Sequence, residues 1–350
     1  MKHFVIVLAF GGKSTEHDVS LRSAGAIHRA LIALGHQVHC VGIDREGAWR
    51  YQGDGLSFPG SVDIAAPLVT IRPGQRKIFF GIEGQGMTGI EVDVLFPALH
   101  GRWGEDGTIQ GLAAMCGIPC VGSGVLGSAI SMDKDVAKQL LQTNGITVAP
   151  WLALSTKPTW ALVTRTLGTK IFVKPASSGS SVGVHRVTNA AELARAFSNA
   201  LEFDDKIILE AEVRGREIEC GIVDVKGELI ASELGEVTLL GNHKFYDFRA
   251  KYEDQDGARL LVPCGLPEKI RAEIQDISRR AFRCLGLATL ARVDFFLDPQ
   301  GNVILNEVNT LPGFTDVSMY PKMFDCSGYS LIDLMRELLE STIAKGGFSL

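Results

Sequence analysis

Ala291-Arg292-Val293-Asp294-Phe295-Phe296-Leu297, the turn Asp298-Pro299-Gln300-Gly301, and Val303-Ile304-Leu305-Asn306-Glu307-Val308-Asn309 read as a hairpin with a polar face. On the first strand Arg292 and Asp294 share one side while Val293, Phe295 and Leu297 share the other. On the second, Glu307 and Asn309 alternate with Ile304 and Val308. A two-residue turn at Pro299-Gln300 pairs Asp294 with Leu305 and Arg292 with Glu307. Paired residues point to the same face, so Arg292, Asp294, Glu307 and Asn309 converge on one surface. A three-residue turn separates them unless a bulge compensates. Two carboxylates and an amide oxygen suit Mg²⁺, a hard cation that completes its shell with water and phosphate oxygens. A solvated face with an Arg292–Glu307 cross-strand pair accounts for the same pattern without a ligand. Thr310-Leu311-Pro312-Gly313-Phe314-Thr315 follows, and its Pro-Gly turn offers a backbone N–H as an oxyanion donor.

Upstream of this hairpin, lysines stand where a loop or backbone could face phosphate. Lys134 lies in Ser131-Met132-Asp133-Lys134, Lys251 in a polar loop, and Lys174 at the end of Ile171-Phe172-Val173. Lys174 precedes Pro175 and the loop Ser177-Ser178-Gly179-Ser180-Ser181-Val182-Gly183, whose small residues let backbone N–H groups approach an anion. Ser/Gly turns are also common without any ligand.

The chain opens on an apolar run, Phe4 to Phe10, then Gly11-Gly12 and an apolar-periodic stretch from Val19 to Leu34: strand, glycine turn, helix. Further buried strands at Val38–Ile43 and Val92–Leu99 and a helix at Thr108–Met115 make residues 1–121 an open α/β unit. Residues 122–210 read as a central unit with a helical stretch running to Leu141, and 211–350 as a third. The 350 residues exceed one ordinary core, and 46% hydrophobic with 21% charged residues excludes wholesale disorder. A net charge of −5 supplies no basic field for nucleic acid. The first strand is too short to span a membrane and carries no cleavage site, so we read it as a cytoplasmic first strand. Seven scattered cysteines without a C-x-x-C pair read as buried free thiols.

Together these motifs resemble the D-alanine:D-alanine ligase family of ATP-grasp enzymes, over essentially the whole chain. The resemblance rests on eight ordered blocks: Gly11 to Ser20, His100 to Gly107, Met132 to Lys134, Gly179 to Gly183, Tyr246 to Tyr252, Ala291 to Asp294, Asn306 to Phe314, and Ser318 to Lys322. It implies an α/β (α+β) chain with a three-domain ATP-grasp fold and nucleotide bound between the central and C-terminal domains. It also implies ATP and two Mg²⁺ as cofactors, with Mn²⁺ as a substitute, and a homodimer that binds neither nucleic acid nor membrane. Asp294, Glu307 and Asn309 then resemble the metal ligands, and Lys134, Lys174 and Lys251 phosphate contacts. Glu210 would sit by the adenine edge and Glu217 by the ribose hydroxyls.

In that family the carboxylate of the first D-alanine attacks the γ-phosphate to give an acyl phosphate, and the amine of the second attacks its carbonyl. Arg292 and the Gly313 N–H resemble the oxyanion donors. Glu16 matches the residue binding the first substrate's ammonium, with Ser180 and Tyr252 as its loop-closing partners, and His100 lies close to that substrate's carboxylate. Ser318 and Met319 match the second-substrate positions. Relatives making D-alanyl-D-lactate commonly carry histidine where Tyr252 stands, and those making D-alanyl-D-serine a basic residue near Met319, so D-alanine is expected in both sites, for peptidoglycan synthesis. Two departures are Thr289, where many relatives have glycine, and Trp103. A nicotinamide-dependent dehydrogenase fails for want of G-x-G-x-x-G. A non-catalytic nucleotide-binding module would require loss of some of Glu16, Arg292, Asp294 or Glu307, all present.

Overall fold

The computed structural model describes residues 2–82, 86–179, 182–239 and 258–345. β1 (Val5–Gly11) is apolar along nearly its whole length because it lies inside a sheet. It runs parallel to β2 (Gln37–Ile43) on one side and to β7 (Val94–Ala98) on the other, and β3 (Trp49–Gly53) closes one edge antiparallel to β2. α1 (His17–Ala33) makes the crossover between the two parallel strands β1 and β2. At the end of β1 the chain must turn sharply: Gly11 and Gly12 have φ of 89° and 96°. A Cβ on Gly11 would stand 2.3 Å from the carbonyl oxygen of Ile43, so only glycine fits.

A small antiparallel sheet, β4 (Val69–Ile71), β5 (Lys77–Ile82) and β6 (Gly86–Glu91), precedes β7. The sequence pattern did not announce it, because its strands are short and Gly86, Gly89 and Lys77 interrupt the apolar alternation. α2 (Thr108–Cys116) follows β7.

The helical stretch expected from residue 122 to Leu141 is two helices, α3 (Val125–Met132) and α4 (Lys134–Thr143). Asp133 between them has extended backbone, and its carboxylate caps α4 by accepting from the N–H groups of Asp135 and Val136. That cap sets Lys134 as the first residue of α4. The second sheet, in the order β10-β9-β11-β8, contains β8 (Trp151–Leu154), β9 (Ile171–Pro175), β10 (His185–Val187) and β11 (Ile207–Ala211). Two amphipathic helices, α5 (Trp160–Leu167) and α6 (Ala190–Ala200), bury Val163, Leu193 and Phe197 against its Ile171, Val173 and Leu209.

The third sheet has the order β14-β13-β12-β15-β16: β12 (Arg216–Val225), β13 (Glu228–Leu239), β14 (Ala258–Leu261), β15 (Leu290–Leu297) and β16 (Val303–Asn309). Its apolar face, Ile218, Cys220, Ile222, Val293 and Phe295, packs on Ile274 and Phe282 of α7 (Glu268–Cys284). Opposite that face lie α8 (Met319–Cys326) and α9 (Leu331–Ala344). Tyr320, Phe324, Leu334 and Leu338 from these helices share one core with Ile6, Leu8 and Phe96 of the first sheet. Burial of such side chains is worth roughly 1.5 to 3 kcal/mol each, which ties the C-terminal helices to the N-terminal sheet.

All seven cysteines are free, but against the expectation of burial Cys120 and Cys284 are half-buried and Cys326 is exposed. No described helix is long and apolar enough to cross a membrane.

Candidate active site

The polar hairpin does present Arg292, Asp294, Glu307 and Asn309 on one face, although through a different register from the expected one. Asp294 pairs with Glu307 and Arg292 with Asn309, while Phe295 pairs with Leu305 and Leu297 with Val303. The loop between Leu297 and Val303 is longer than a two-residue turn, and Asp298 holds it by accepting from the N–H groups of Gln300 and Asn302. A bulge at Asn306 then absorbs the extra residue and returns Glu307 to the face of Asp294. The expected pairings Asp294–Leu305 and Arg292–Glu307 are therefore wrong, and the convergence survives because the bulge compensates.

Arg292 is the hub of this face. Its Nε and Nη2 each donate to Asp294 at 2.7 Å, and its Nε lies 2.9 Å from Glu219 Oε2. Glu219 enters because β12 pairs it directly with Asp294. Asn309 Nδ2 donates to Asp294 Oδ2 at 2.9 Å, which leaves the amide oxygen as a ligand atom. Burial opposes the Arg292 charge, but Asp294 and Glu219 outweigh it and hold the guanidinium firmly protonated. Among the described residues no group of three or more His, Cys, Asp or Glu is arranged to cage a metal. The donor set here, two carboxylates and an amide oxygen, fits instead a magnesium-type ion that takes its other ligands from phosphate and water.

Across the cleft stand the lysines. Lys134 Nζ donates to the Ser178 carbonyl at 2.7 Å, and burial lowers its pKa against the pull of Glu307. Lys174 forms an ion pair with Glu210, as does Lys138 at 2.6 Å, with only 2% and 5% of the Lys138 and Glu210 side chains exposed. Burial works against the Glu210 charge, but Lys174 and Lys138 overcome it and bring the carboxyl down to about 2. Glu210 is thus placed by two lysines. Lys138 went unnoticed in the sequence, though its spacing of four from Lys134 puts both on one face of α4.

The cleft is lined by Glu16, His100, Glu105, Lys134, Arg292, Glu307, Asn309 and Gly313 among others. Glu16, just before α1, sets its carboxylate against glycines from two loops: a Cβ on Gly101 would lie 2.9 Å from its Oε2, and one on Gly179 3.4 Å. His100 Nδ1 lies 3.1 Å from the Leu311 carbonyl and its Nε2 3.2 Å from Ser23 Oγ. Burial lowers the His100 pKa against the pull of Glu16, which favours the neutral ring. Glu105, inside the His-Gly loop but not singled out in the sequence, accepts from Gly101 N–H at 2.8 Å and Leu311 N–H at 3.0 Å. Burial, then the nearby Glu16 charge, pushes its carboxyl up to about 7.

Glu217, Ser318 and Met319 are carried by β12 and the start of α8. Glu217 is half-buried on β12, on the face of Glu219. Ser318 lies beneath Gly313 and its hydroxyl accepts the Thr315 N–H at 3.0 Å. Met319 is buried among Val237 and Met323, its sulfur where a side chain on Gly235 would stand. Ser180, Lys251 and Tyr252 lie outside the described residues.

With this geometry in place, comparison with known proteins is decisive. The D-ala D-ala ligase N-terminus model matches residues 5–123 and the D-ala D-ala ligase C-terminus model residues 140–340. The chain belongs to the D-alanine–D-alanine ligase family. It is 58% identical to D-alanine–D-alanine ligase A of Pseudomonas putida over 97% of each chain. Among solved structures it resembles the D-alanine-D-alanine ligase from Coxiella burnetii, with TM-score 0.85 and 32% identity over 99% of this chain and 95% of that one. It also resembles a D-Ala:D-Ser ligase from Enterococcus faecalis, with TM-score 0.83 and 31% identity over 97% and 100%. The ATP-grasp fold and an enzyme of the ligase type follow from this family membership. Both departures noted in the sequence fall on left-handed backbone: Thr289 has φ of 67° and Trp103 of 73°.

Proposed function

We propose that this ligase joins two D-alanines into D-alanyl-D-alanine at the expense of ATP, through D-alanyl phosphate, in the pathway that builds peptidoglycan. The observation that carries the reading is the meeting, in one cleft, of Glu16, Lys134, Arg292, Glu307 and the Gly313 backbone. Asp294, Glu307 and Asn309 hold two divalent ions, magnesium with manganese able to substitute. When bound, these ions neutralise charge on the ATP phosphates. Lys134, Lys174 and Lys251 hold phosphate oxygens, with Glu210 and Glu217 at the adenosine.

Glu16 takes the ammonium of the first D-alanine and orients its carboxylate toward the γ-phosphate, with Ser180 and Tyr252 closing over it. His100, neutral and fixed at both nitrogens, shapes the pocket around that carboxylate. Transfer of the phosphoryl group to the carboxylate oxygen releases ADP. The amine of the second D-alanine then attacks the acyl carbon, and Arg292 and the Gly313 N–H receive the negative charge that grows on the carbonyl oxygen. Phosphate leaves as the amide forms. Fixed donors of this kind are worth about 3 to 4 kcal/mol in the transition state.

Ser318 and Met319 border the second D-alanine. No basic residue stands beside Met319, which supports D-alanine over D-serine at that site. We divide the chain at 1–121, 122–210 and 211–350, supported by the separate sheets and with the second boundary at the end of β11. A homodimer and a cytoplasmic location belong to the same proposal, on family resemblance alone. The test is phosphate release from ATP with Mg²⁺, with product identified by mass. Release with D-alanine alone and the D-alanyl-D-alanine mass is expected; release only when D-serine or D-lactate is added would overturn the second-site assignment.

A further inference from the structure

The backbone donors of the Leu311–Thr315 loop can be accounted for one at a time. Leu311 N–H goes to Glu105 Oε1 at 3.0 Å, Phe314 N–H to Ser23 Oγ at 3.2 Å, and Thr315 N–H to Ser318 Oγ at 3.0 Å. Proline at 312 has no N–H to give. Among the described residues, Gly313 is left as the loop's one donor without a protein acceptor, and Gly313 lines the cleft. The loop is therefore built so that every neighbouring N–H is consumed and one remains for a ligand.

Ser23 differs from the other two acceptors. It is fully buried on α1, on a different element from both the loop and the His-Gly segment, and its hydroxyl touches both. His100 Nδ1 faces the Leu311 carbonyl, which can only accept, so the hydrogen of the neutral ring is on Nδ1. His100 Nε2 is then an acceptor, and at 3.2 Å it takes the Ser23 O–H. Ser23 thus donates to His100 and accepts from Phe314, with both directions of its hydroxyl defined. The assignment holds for the neutral ring, the form that burial favours.

We propose that Ser23 is a positioning residue for the ligation step, clamping His100 and the N–H next to Gly313 to α1 so that the oxyanion donor and the first-substrate pocket keep one fixed separation. It rests on the reading of Gly313 as oxyanion donor. Preorganised donors lose their value with small displacements, and a shift of the order of 1 Å costs about 100-fold in rate. Ser23 is fully buried and its hydroxyl is taken up by His100 and Phe314, so its effect should fall on turnover rather than on nucleotide binding.

The test is steady-state kinetics of the full chain as wild type, Ser23→Ala and Ser23→Thr, with the folded fraction of each measured by thermal unfolding. For Ser23→Ala we expect kcat to fall about 10- to 100-fold with KM for ATP within about twofold, and Ser23→Thr, which keeps the hydroxyl, to recover most of the loss. Unchanged kcat in Ser23→Ala overturns the proposal. So does a loss that tracks the folded fraction and is not recovered by threonine. Absence of D-alanine-dependent phosphate release in the wild type would instead sink the ligase reading on which the proposal rests.

Discussion

The two charged sides of the cleft invert one another. On the third sheet one guanidinium, Arg292, sits among three carboxylates, Glu219, Asp294 and Glu307. On α4 and the second sheet one carboxylate, Glu210, sits among three lysines, Lys134, Lys138 and Lys174. Of the groups named, the first side holds more carboxylates than cations and the second more lysines than carboxylates. Buried charge of one sign is costly unless a partner arrives, so both sides are ordered in advance for a ligand that carries both signs. A nucleotide triphosphate with its divalent ions is such a ligand.

Short of losing a metal ligand, the largest effect should come from the hub of the acidic side. Arg292→Ala removes a fixed donor and strands Asp294 and Glu219 without their cation, and we expect kcat to fall by about 100- to 1,000-fold in the phosphate-release assay. A loss below about tenfold would mean that the guanidinium only holds the carboxylates apart.

On the basic side, Lys138→Met leaves Glu210 with one of its two ion pairs, that to Lys174. Glu210 keeps a buried cation, so the loss in urea unfolding should fall below the roughly 3 to 5 kcal/mol of a buried charge left wholly unpaired. KM for ATP should rise while KM for D-alanine is unchanged. Equal stability in the variant would show that Glu210 is satisfied by one lysine and that the inversion is accidental.

How far the sequence carried is visible at these residues. The convergent hairpin face was legible because alternation of polar and apolar residues is a local property, and it held despite an error in register. The register itself depended on a loop held by Asp298 and a bulge at Asn306, neither of which has a one-residue signature. Glu219, Glu105 and Ser23 escaped notice for another reason: each acts on a residue far away in the chain, through strand pairing or helix packing that alternation does not encode. Lys138 and the break at Asp133 were closer to hand, one by its spacing from Lys134 and the other as an aspartate at a helix N-cap.

Glu105 joins the His-Gly loop to Leu311 near the junction of the two sides, and it makes folding depend on pH. Its folded carboxyl titrates at about 7, above its ordinary 4.5, so the folded chain binds this proton more tightly than the unfolded one. The stabilisation is complete below about pH 4.5 and is lost as pH rises through about 7. Glu105→Gln should flatten the stability profile across that window, read by thermal unfolding at a series of pH values. A profile identical to wild type would mean that the carboxylate stays charged.

The smallest effect is expected at Thr289, a buried β-branched residue held at φ of 67° whose Oγ1 donates to the Gly122 carbonyl at 3.1 Å. Left-handed backbone at such a residue costs about 1 to 3 kcal/mol, partly offset by that hydrogen bond. Thr289→Gly should therefore stabilise the chain by up to about 1 kcal/mol in urea, with kcat unchanged. A loss of stability would show that the link to Gly122 outweighs the strain.

The inversion of charge across the cleft is tested most directly by titrating Mg²⁺ into the D-alanine-dependent phosphate-release assay for the wild type and Glu307→Gln. Glu307→Gln keeps the side chain's shape and removes one charge from the acidic side. The account predicts saturable release in the wild type, and in the variant little or no release at any Mg²⁺ concentration that saturates the wild type. Release in the variant with the same Mg²⁺ dependence as the wild type would contradict it.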